Sequence, residues 1–446
     1  MSDLLNIGAS GVRAYQSALT TVSDNIANAG TAGYTRRTTG LNEVVSAGGV
    51  TETALVGANG VAVTGTVRIA DAARAADVRA SSADLARSES GITTLTGIQS
   101  VLTGIAVGDR LADFFNAATA VAANPSASAP RSTMLAAADS VASAFTATGK
   151  ALDAVAADLD ATGKSGVETL TSLGAALAKI NDGLGRATAG TSGAAQLQDQ
   201  RDQILDQMSA ISDVSVATDA VGRATVRLGG ANGPAFVSGS SAGAVTYVRD
   251  GGSVAFAVHY GGEITRLSPN GGALAGVVDG AQRVTDARTG LNAIAKSFTD
   301  GINAVQAQGQ DLAGKPGAAM FTTGATATDI TLSLTDPAGI AAAAIGGSAR
   351  DNSNLAALAT LRSSGAFEAN TTGLISGNAA TLASRQTVAG AQSAIRDGAV
   401  AARDSISGVS LDNEAVDLMR FQQAYSASSR IIQVARDTFQ SILEIR

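Results

Sequence analysis

Both ends of the chain carry apolar or small residues at alternating steps of three and four. In the N-terminal stretch these positions are Leu5, Gly8, Val12, Tyr15, Leu19, Val22, Ile26 and Ala29. In the C-terminal stretch they are Leu418, Phe421, Tyr425, Ser428, Ile432, Ala435, Phe439 and Ile442. This heptad spacing is typical of a helix that presents one stripe to a partner helix. The pattern therefore predicts a helix at each end, paired with the other.

The remaining positions of the first helix suggest that it packs on more than one side. Within residues 1–33 the only charges are Asp3, Arg13 and Asp24, and the other polar residues are Ser, Thr, Asn and Gln. A helix with one face in water usually carries Lys and Glu on that face. Because narrow stripes bury little apolar area against the entropy cost of ordering, we expect firm order only when neighbouring subunits cover the other faces. An ordinary intramolecular coiled coil is the alternative.

The helical period returns several times in the body of the chain. After a turn at Gly30–Gly33 and an extended stretch to about residue 70, it predicts helical runs from Ile92 to Asn124, from Met134 to Leu159 and from Leu170 to Leu184. A short helix with Leu197, Leu205 and Met208 follows. These runs predict a layer of long antiparallel helices.

From Asp213 to Leu267 the period changes to two. Val254, Phe256 and Val258 alternate with smaller residues, and Gly-rich turns separate the alternating stretches. This pattern predicts an antiparallel β-domain inserted between helices, with His259 as a surface residue on its solvated face. A long helix then covers Leu274 to Val305, a short strand covers Ile330–Leu334, and the chain returns through 384–405.

The predicted fold class is therefore mainly α with an inserted antiparallel β-domain, in an elongated multi-domain protein with paired N- and C-terminal coiled-coil helices. Five domains are predicted: an N-terminal helix with an extended segment (1–75), a long-helix bundle (85–212), the β-domain (213–268), return helices with a short β region (271–405) and a C-terminal assembly helix (406–446).

Composition excludes several classes of function. The 31 basic and 38 acidic residues give a net charge of −7, which argues against a nucleic-acid partner. The chain has no Cys and a single His, so it offers no disulfide, no thiolate metal site and no multi-histidine metal site. The longest apolar run, at 339–345, is too short to span a membrane, and the start lacks a secretory signal pattern. We expect no cofactor, no membrane insertion and export by another route.

Two motifs resemble ligand sites but fail on spacing. Gly163-Lys164-Ser165 lacks the earlier glycine of a phosphate-binding loop and is interpreted as a helix-terminal turn. Asp158 and Asp160 begin like a calcium loop, but Thr169 stands where that loop needs a bidentate Glu.

Catalytic chemistry has no candidate residues in this sequence. The acidic pair Asp199 and Asp202, beside Arg201, is interpreted as a solvated helix face. One histidine on a small sheet cannot supply a nucleophile, a base and an orienting group. A secreted glycan hydrolase would need two carboxylates in matched environments, and we identify none. The sequence predicts a protein that is not an enzyme.

Short motifs at the two ends carry a family resemblance. Ser23–Asn28 followed by Thr31–Arg37 resembles the N-terminal signature of bacterial flagellar rod, hook and hook-associated proteins. Ser407–Glu414, continuing into Arg420–Tyr425, resembles their C-terminal signature. With the Leu197–Ile211 stretch and Asp351–Asn354, the combination most resembles the hook-associated protein 1 family.

That resemblance implies a structural role. Members of this group are exported unfolded through the flagellar type III channel, and their terminal helices order on assembly. It implies a secreted protein that forms a ring of subunits at the extracellular hook–filament junction of the flagellum. The implied partners are further copies of the chain, the hook protein, a second hook-associated protein on the filament side and an export chaperone.

The predicted assembly interface consists of stripe and signature residues from both ends. Its members are Leu5, Val12, Tyr15, Leu19, Val22, Asn25, Ile26, Asn28, Gly33, Tyr34, Leu418, Phe421, Gln422, Tyr425, Ile432, Phe439 and Ile442. Arg36 and Arg37 are candidates for polar contacts between subunits, with solvated surface arginines as the alternative. Alternative functions are a flagellar hook or other axial protein and, in a different class, a secreted coiled-coil adhesin.

Overall fold

The computed structural model describes residues 2–44 and 60–444. The helices are α1 (Ser2–Asn28), α2 (Ala72–Gly104), α3 (Val107–Ala123), α4 (Ser128–Arg186), α5 (Ser192–Ile211), α6 (Gly272–Gln308), α7 (Ala356–Gly365), α8 (Phe367–Ser407) and α9 (Leu411–Glu444). The strands are β1 (Arg37–Val44), β2 (Gly60–Arg68), β3 (Val214–Thr218), β4 (Ala224–Leu228), β5 (Ala235–Ser238), β6 (Ser241–Ala242), β7 (Ala244–Asp250), β8 (Ser253–Tyr260), β9 (Glu263–Leu267), β10 (Gly309–Gln310), β11 (Phe321–Thr323), β12 (Ile330–Leu332) and β13 (Ala343–Ala344).

This architecture confirms the predicted fold class, because long helices dominate and antiparallel strands are inserted between α5 and α6. The inserted strands form a four-stranded sheet in the order β3-β4-β5-β6 and a three-stranded sheet in the order β7-β8-β9. Helix α4 alone has 59 residues and is about 90 Å long at 1.5 Å per residue. β1 and β2 pair as an antiparallel ribbon, while the predicted extended segment between 45 and 59 lies outside the described residues.

The apolar core has two parts, and both draw on α4 and α6. The larger part joins α2 and α3 to the first half of α4 and the second half of α6. Its four fully buried phenylalanine rings are Phe114, Phe145, Phe298 and Phe367. The smaller part packs the inserted sheets against the second half of α4 and the start of α6. Because two helices run through both parts, the five-domain division stays a prediction, although the β-insert bounds of 213–268 agree with β3–β9.

Helix α4 corrects the prediction of two helices separated by a turn at Gly163-Lys164-Ser165. A Cβ added to Gly163 would lie 2.7 Å from Cε2 of Tyr247, and one added to Gly174 would lie 2.6 Å from Cζ of Phe236. These glycines let aromatic rings of the inserted sheets pack directly on the helix backbone. The turn prediction was wrong because the reason for the glycine lies in a distant part of the chain.

We expect Gly174→Ala to destabilise the protein, although alanine is the better helix former. The new methyl group would overlap the fully buried Phe236 ring, and such overpacking costs about 1–3 kcal/mol. Gly373→Ala in α8 is the matched control, because nothing lies within 4 Å of its added Cβ. Denaturant unfolding should show a loss of stability in the first variant and none in the second. Equal stabilities would contradict the packing described.

The carboxylate that resembles part of a calcium loop also lies inside α4. Asp160 accepts a hydrogen bond from Nε of Arg249 at 2.6 Å and another from the hydroxyl of Tyr247. Burial works against its charged form, but the bonds from Arg249 and Tyr247 prevail and lower the pKa of Asp160. Asp160 therefore attaches β7 to the helix.

Helix α2 begins at Ala72, well before the predicted start at Ile92, and Oδ1 of Asp71 caps it by accepting from the amides of Ala73 and Arg74. The 72–123 region contains an 18-residue window with a mean hydropathy of 1.3, long and apolar enough to cross a membrane. Its largest apolar residues, such as Ile98, Leu102 and Phe114, lie in the main core. This placement is typical of a core helix.

Candidate assembly interface

The two terminal helices pair with each other, as predicted, and the structure shows that their orientation is antiparallel. Asn25 near the end of α1 bonds Glu414 near the start of α9, and the rings of Tyr15 and Phe421 lie 6.3 Å apart midway along the pair. A Cβ added to Gly8 would lie 2.7 Å from Cγ1 of Ile432. The chain ends are thus brought together along most of the length of α1.

The buried stripe of α1 is shifted by one residue from the predicted stripe. The residues that lie inside the pair are mostly small: Gly8, Gly11, Ala14, Ala18, Thr21, Val22 and Asn25. Of the predicted stripe, Gly8 and Val22 are buried, as is the signature residue Asn25; Leu5, Val12, Tyr15 and Leu19 are half-buried, and Ile26 is 37% exposed. The prediction placed the large apolar residues at the centre of the contact, whereas they flank it.

Helix α9 keeps the predicted register, because the predicted stripe positions Ser428 and Ala435 are buried. Its buried residues are Glu414, Ser428 and Ala435. The predicted Leu418, Phe421, Tyr425 and Ile432 are half-buried, while Gln422, Phe439 and Ile442 are exposed. Phe439 and Ile442 are each 53% exposed, and Val434 on another face is 62% exposed. The single chain therefore leaves much of the apolar surface of α9 uncovered.

Close approach of the two helices depends on Gly11. A Cβ at this position would lie 2.6 Å from Oγ of Ser428. We expect Gly11→Val to separate the helices at a cost of about 1–3 kcal/mol. Gly398→Val in α8 is the control, since nothing lies within 4 Å of its added Cβ. In assembled subunits, hydrogen exchange at residues 425–435 should be faster only in Gly11→Val, and unchanged exchange in that variant would show that the glycine is not needed.

We call residues 72–406, which lie between the two terminal segments, the body. Asn25 is the centre of a buried polar network at the end of the helix pair that lies next to the body. Its Nδ2 donates to the Arg37 carbonyl at 2.8 Å and to Oε2 of Glu414 at 2.9 Å. Its Oδ1 accepts from the Tyr34 hydroxyl at 2.9 Å and from the Arg37 amide at 3.0 Å. Burial raises the pKa of the Tyr34 hydroxyl, and the positive charge of Arg37 opposes that rise. With 0% exposure, Asn25 has all of its polar atoms engaged inside the chain.

Arg36 connects the same network to α9. Its Nε lies 2.6 Å from Oε1 of Glu414, and its Nη2 lies 3.3 Å from Oδ2 of Asp417. The Arg36 amide also donates to the carbonyl of Ser407 at 2.9 Å. Glu414 is fully buried in the first turn of α9, where the helix dipole favours a negative charge. Arg36 therefore joins both terminal segments within one chain.

Arg37 and Arg68 connect the ribbon of β1 and β2 to α5. Arg37 Nη2 lies 2.9 Å from Asp199 Oδ2, and Arg68 Nε lies 2.6 Å from Asp199 Oδ1. Arg68 Nη2 lies 2.6 Å from Asp202 Oδ2. Asp199 is 6% exposed, which corrects the prediction of a solvated acidic face. Both Arg36 and Arg37 are paired inside the chain, so the solvated alternative is wrong, whereas their contact with other subunits stays a prediction.

Asn28 and Gly33 are the two remaining predicted interface residues of the N-terminal signature. Asn28 is the last residue of α1, and Gly33 lies in the turn that follows. Asn28 donates only to the carbonyl of Asp24, at 2.8 Å, on its own helix. Gly33 has φ of 76°, a left-handed conformation that favours glycine, and Gln203 of α5 donates to the adjacent Ala32 carbonyl at 2.8 Å. These contacts shape the turn, and Gly33 remains exposed.

A polar cleft of about 670 Å³ lies beside this turn, between α5 and residues 403–410. Asp206 in its wall pairs with Arg79 at 3.5 Å and with Arg403 at 3.3 Å. Burial raises the pKa of Asp206, and the two arginines oppose that rise. Across residues 2–44 and 60–444, no group of three or more His, Asp or Glu side chains is placed to hold a metal ion.

Three regions of the chain match known protein families. Residues 5–35 match the flagella basal body rod protein family, and residues 401–445 match the flagellar basal body rod FlgEFG protein C-terminal family. Residues 95–321, more than half of the chain, match the flagellar hook-associated protein FlgK helical domain.

Individual relatives agree with these matches. Flagellar hook-associated protein 1 of Salmonella typhimurium strain LT2 is 31% identical over 343 residues, and that of Escherichia coli strain K12 is 28% identical over 339 residues. Each match covers 73% of this chain and 60% of the relative. The chain therefore covers less than two thirds of the length of these relatives.

A solved structure, that of the flagellar hook junction protein FlgK from Burkholderia pseudomallei, has the same fold over part of its length. The superposition covers 56% of this chain and 47% of that protein, with a TM-score of 0.50 and 23% identity. Together with the match over residues 95–321, these findings show that the chain belongs to the flagellar hook-associated protein FlgK family.

Proposed function

We propose that this chain is a structural subunit of the bacterial flagellum, located at the junction between hook and filament. The observation that carries this proposal is the uneven packing of the terminal pair. Small residues fill the contact between α1 and α9, while Met419, Val434, Phe439 and Ile442 are each more than half exposed. A helix pair that functioned alone would bury its largest apolar side chains. This exposed apolar surface is one that other subunits cover.

The proposed partners follow from that surface and from the family. Further copies of the chain would form a ring, with the hook protein on one side and a second hook-associated protein on the filament side. The family also makes export through the flagellar type III channel with a chaperone the expected route. The names of the Salmonella typhimurium, Escherichia coli and Burkholderia pseudomallei relatives support a place at the hook.

The predicted interface residues divide into two roles in this proposal. Residues with free surface, such as Ile26, Gln422, Phe439 and Ile442, make the contacts between subunits. Asn25 and Tyr34 act indirectly, because they fix the pairing of α1 with α9. We infer a structural function rather than catalysis, since the charged side chains at this site hold helices together.

Deletion of the gene in its own organism tests the proposed function. We expect electron microscopy to show hooks without attached filaments, with flagellin released into the medium, and restoration of filaments by the wild-type gene. Normal filaments in the deletion strain would contradict the proposal. Loss of the hook itself would favour the alternative of a hook or other axial protein. Residues 72–211, which are almost entirely helical, argue against the hook protein, for which mostly β structure would be expected.

A further inference from the structure

The terminal pair is held unevenly along its length. We call the end next to the body the base; it comprises residues 21–25, 34–37, 66–69 and 407–417. The base contains the fully buried Asn25 and Glu414 and their bonds to Tyr34 and Arg36. We call the other end the tip; it comprises residues 4–15 and 425–442. Among the described residues, no ion pair involves the tip, and its buried side chains are small.

The base is attached to the body through a compact set of charges. Both oxygens of Asp199 are engaged, one with Arg37 at 2.9 Å and the other with Arg68 at 2.6 Å. Arg68 also bonds Asp202 at 2.6 Å and the Thr35 hydroxyl at 3.0 Å. These four charged residues belong to β1, β2 and α5, so a single cluster joins the ribbon to the body.

The geometry of this cluster requires arginine at position 68. Arg68 uses its Nε for one carboxylate and its Nη2 for another, which the compact ammonium group of a lysine cannot reproduce. Arg201 holds Asp202 in place through two bonds to Oδ1, at 2.9 and 2.7 Å, and its Nη1 reaches the carbonyl of Gly222 in the inserted β region. The orientation of the cluster is thus set from the body side.

Backbone bonds continue from the cluster into the base. The Ile69 amide donates to the Arg36 carbonyl at 2.9 Å, and the Arg36 amide donates to the Ser407 carbonyl at 2.9 Å. The Arg37 amide donates to Asn25 at 3.0 Å. A change in the position of Arg37 or Arg68 would therefore reach the start of α9 and the end of α1.

We propose that Arg37, Arg68, Asp199 and Asp202 are positioning residues that keep the base folded on the body in the free monomer. Assembly then has to order only the tip, because the folded base already fixes the register in which α1 and α9 pair. This inference rests on the proposed function for the role of the tip, whereas the folded base is a property of the single chain. In this inference, Asp199 and Asp202 attach the terminal helix pair to the body.

Hydrogen exchange of the purified monomer tests this inference. We expect slow exchange of the Arg36, Arg37 and Ile69 amides and fast exchange throughout the tip. Asp199→Asn should accelerate the base amides by about 10- to 100-fold, because the buried Arg37 loses its charged partner and Arg68 keeps only Asp202. Asp300→Asn is the matched control, since its pair with Lys296 is exposed and contributes little.

A second variant separates the cluster from the fold of α5. Arg68→Lys leaves α5 untouched and keeps the charge, and we expect it to accelerate the base amides as well. Amides of α6 serve as the reference for an intact body. Fast exchange of the base in the wild type, or unchanged exchange in both cluster variants, would overturn the inference. Slow exchange of the tip in a monomer would contradict the proposed function and leave the role of the cluster standing.

Discussion

Phe439→Asp is expected to abolish incorporation of the subunit into flagella while leaving the monomer folded. Phe439 is 53% exposed in the single chain, so the substitution removes little internal packing. In the proposed assembly a neighbouring subunit covers this position, and burying an unpaired carboxylate there would cost several kcal/mol. Immunoblots of purified flagella should show the variant reduced more than 100-fold, and cells should lose filaments.

The control for this prediction is Ile345→Asp, another apolar-to-acidic change at an exposed site. Ile345 is 72% exposed and lies in the body, away from the terminal pair. We expect this variant to assemble normally. Ile432→Asp should also block incorporation, but Ile432 contacts Gly8 and its loss would disturb the pair itself. Normal incorporation of Phe439→Asp would mean that this part of α9 is not an assembly surface.

Asn25→Ala is expected to have the largest effect on the pairing of the termini. The substitution would leave the Arg37 amide and the Tyr34 hydroxyl without their acceptor and would remove one donor from the buried Glu414. Each buried group left unsatisfied costs about 1–3 kcal/mol, so the base should lose about 3 kcal/mol in total. Trypsin cleavage after Arg36 and Arg37 should then be about 100-fold faster, because cleavage follows the population of the open state.

Asn28→Ala provides a matched control on the same helix. Asn28 bonds only its own helix and the following turn, so its removal should change the cleavage rate by less than about twofold. Equal cleavage rates in the two variants would show that the Asn25 network does not hold the base together.

Local patterns predicted the elements of this fold well and its long-range contacts poorly. Heptad spacing identified both terminal helices, and alternation identified the β-insert, since each pattern depends on residues close in the chain. The register of α1 was missed because mostly large residues were assigned to the contact, whereas Gly11, outside the predicted stripe, lies in it and allows the helices to approach closely. Interpreting Gly163 correctly required the position of Tyr247, which no local pattern supplies.

The charged cluster of Arg37, Arg68, Asp199 and Asp202 could not be predicted from local sequence either. Asp199 lies 162 residues from Arg37 and 131 residues from Arg68, so its local sequence suggests only a polar helix face. A usable signal was the pair Arg36-Arg37 directly after a segment nearly free of charge. Two adjacent arginines at the exit of a packed helix call for acidic partners elsewhere in the chain. Their identity required the fold.

The central claim, that the outer surface of the terminal pair is covered by other subunits, is most directly tested by cysteine labelling. The chain contains no cysteine, so a single introduced thiol reports on one position. Ala427→Cys on the exposed side of α9 and Ser241→Cys in the inserted β region should both react with a maleimide in the monomer. In assembled flagella we predict that Cys at position 427 becomes protected while Cys at position 241 stays reactive. Undiminished labelling at position 427 in assembled flagella would contradict the account.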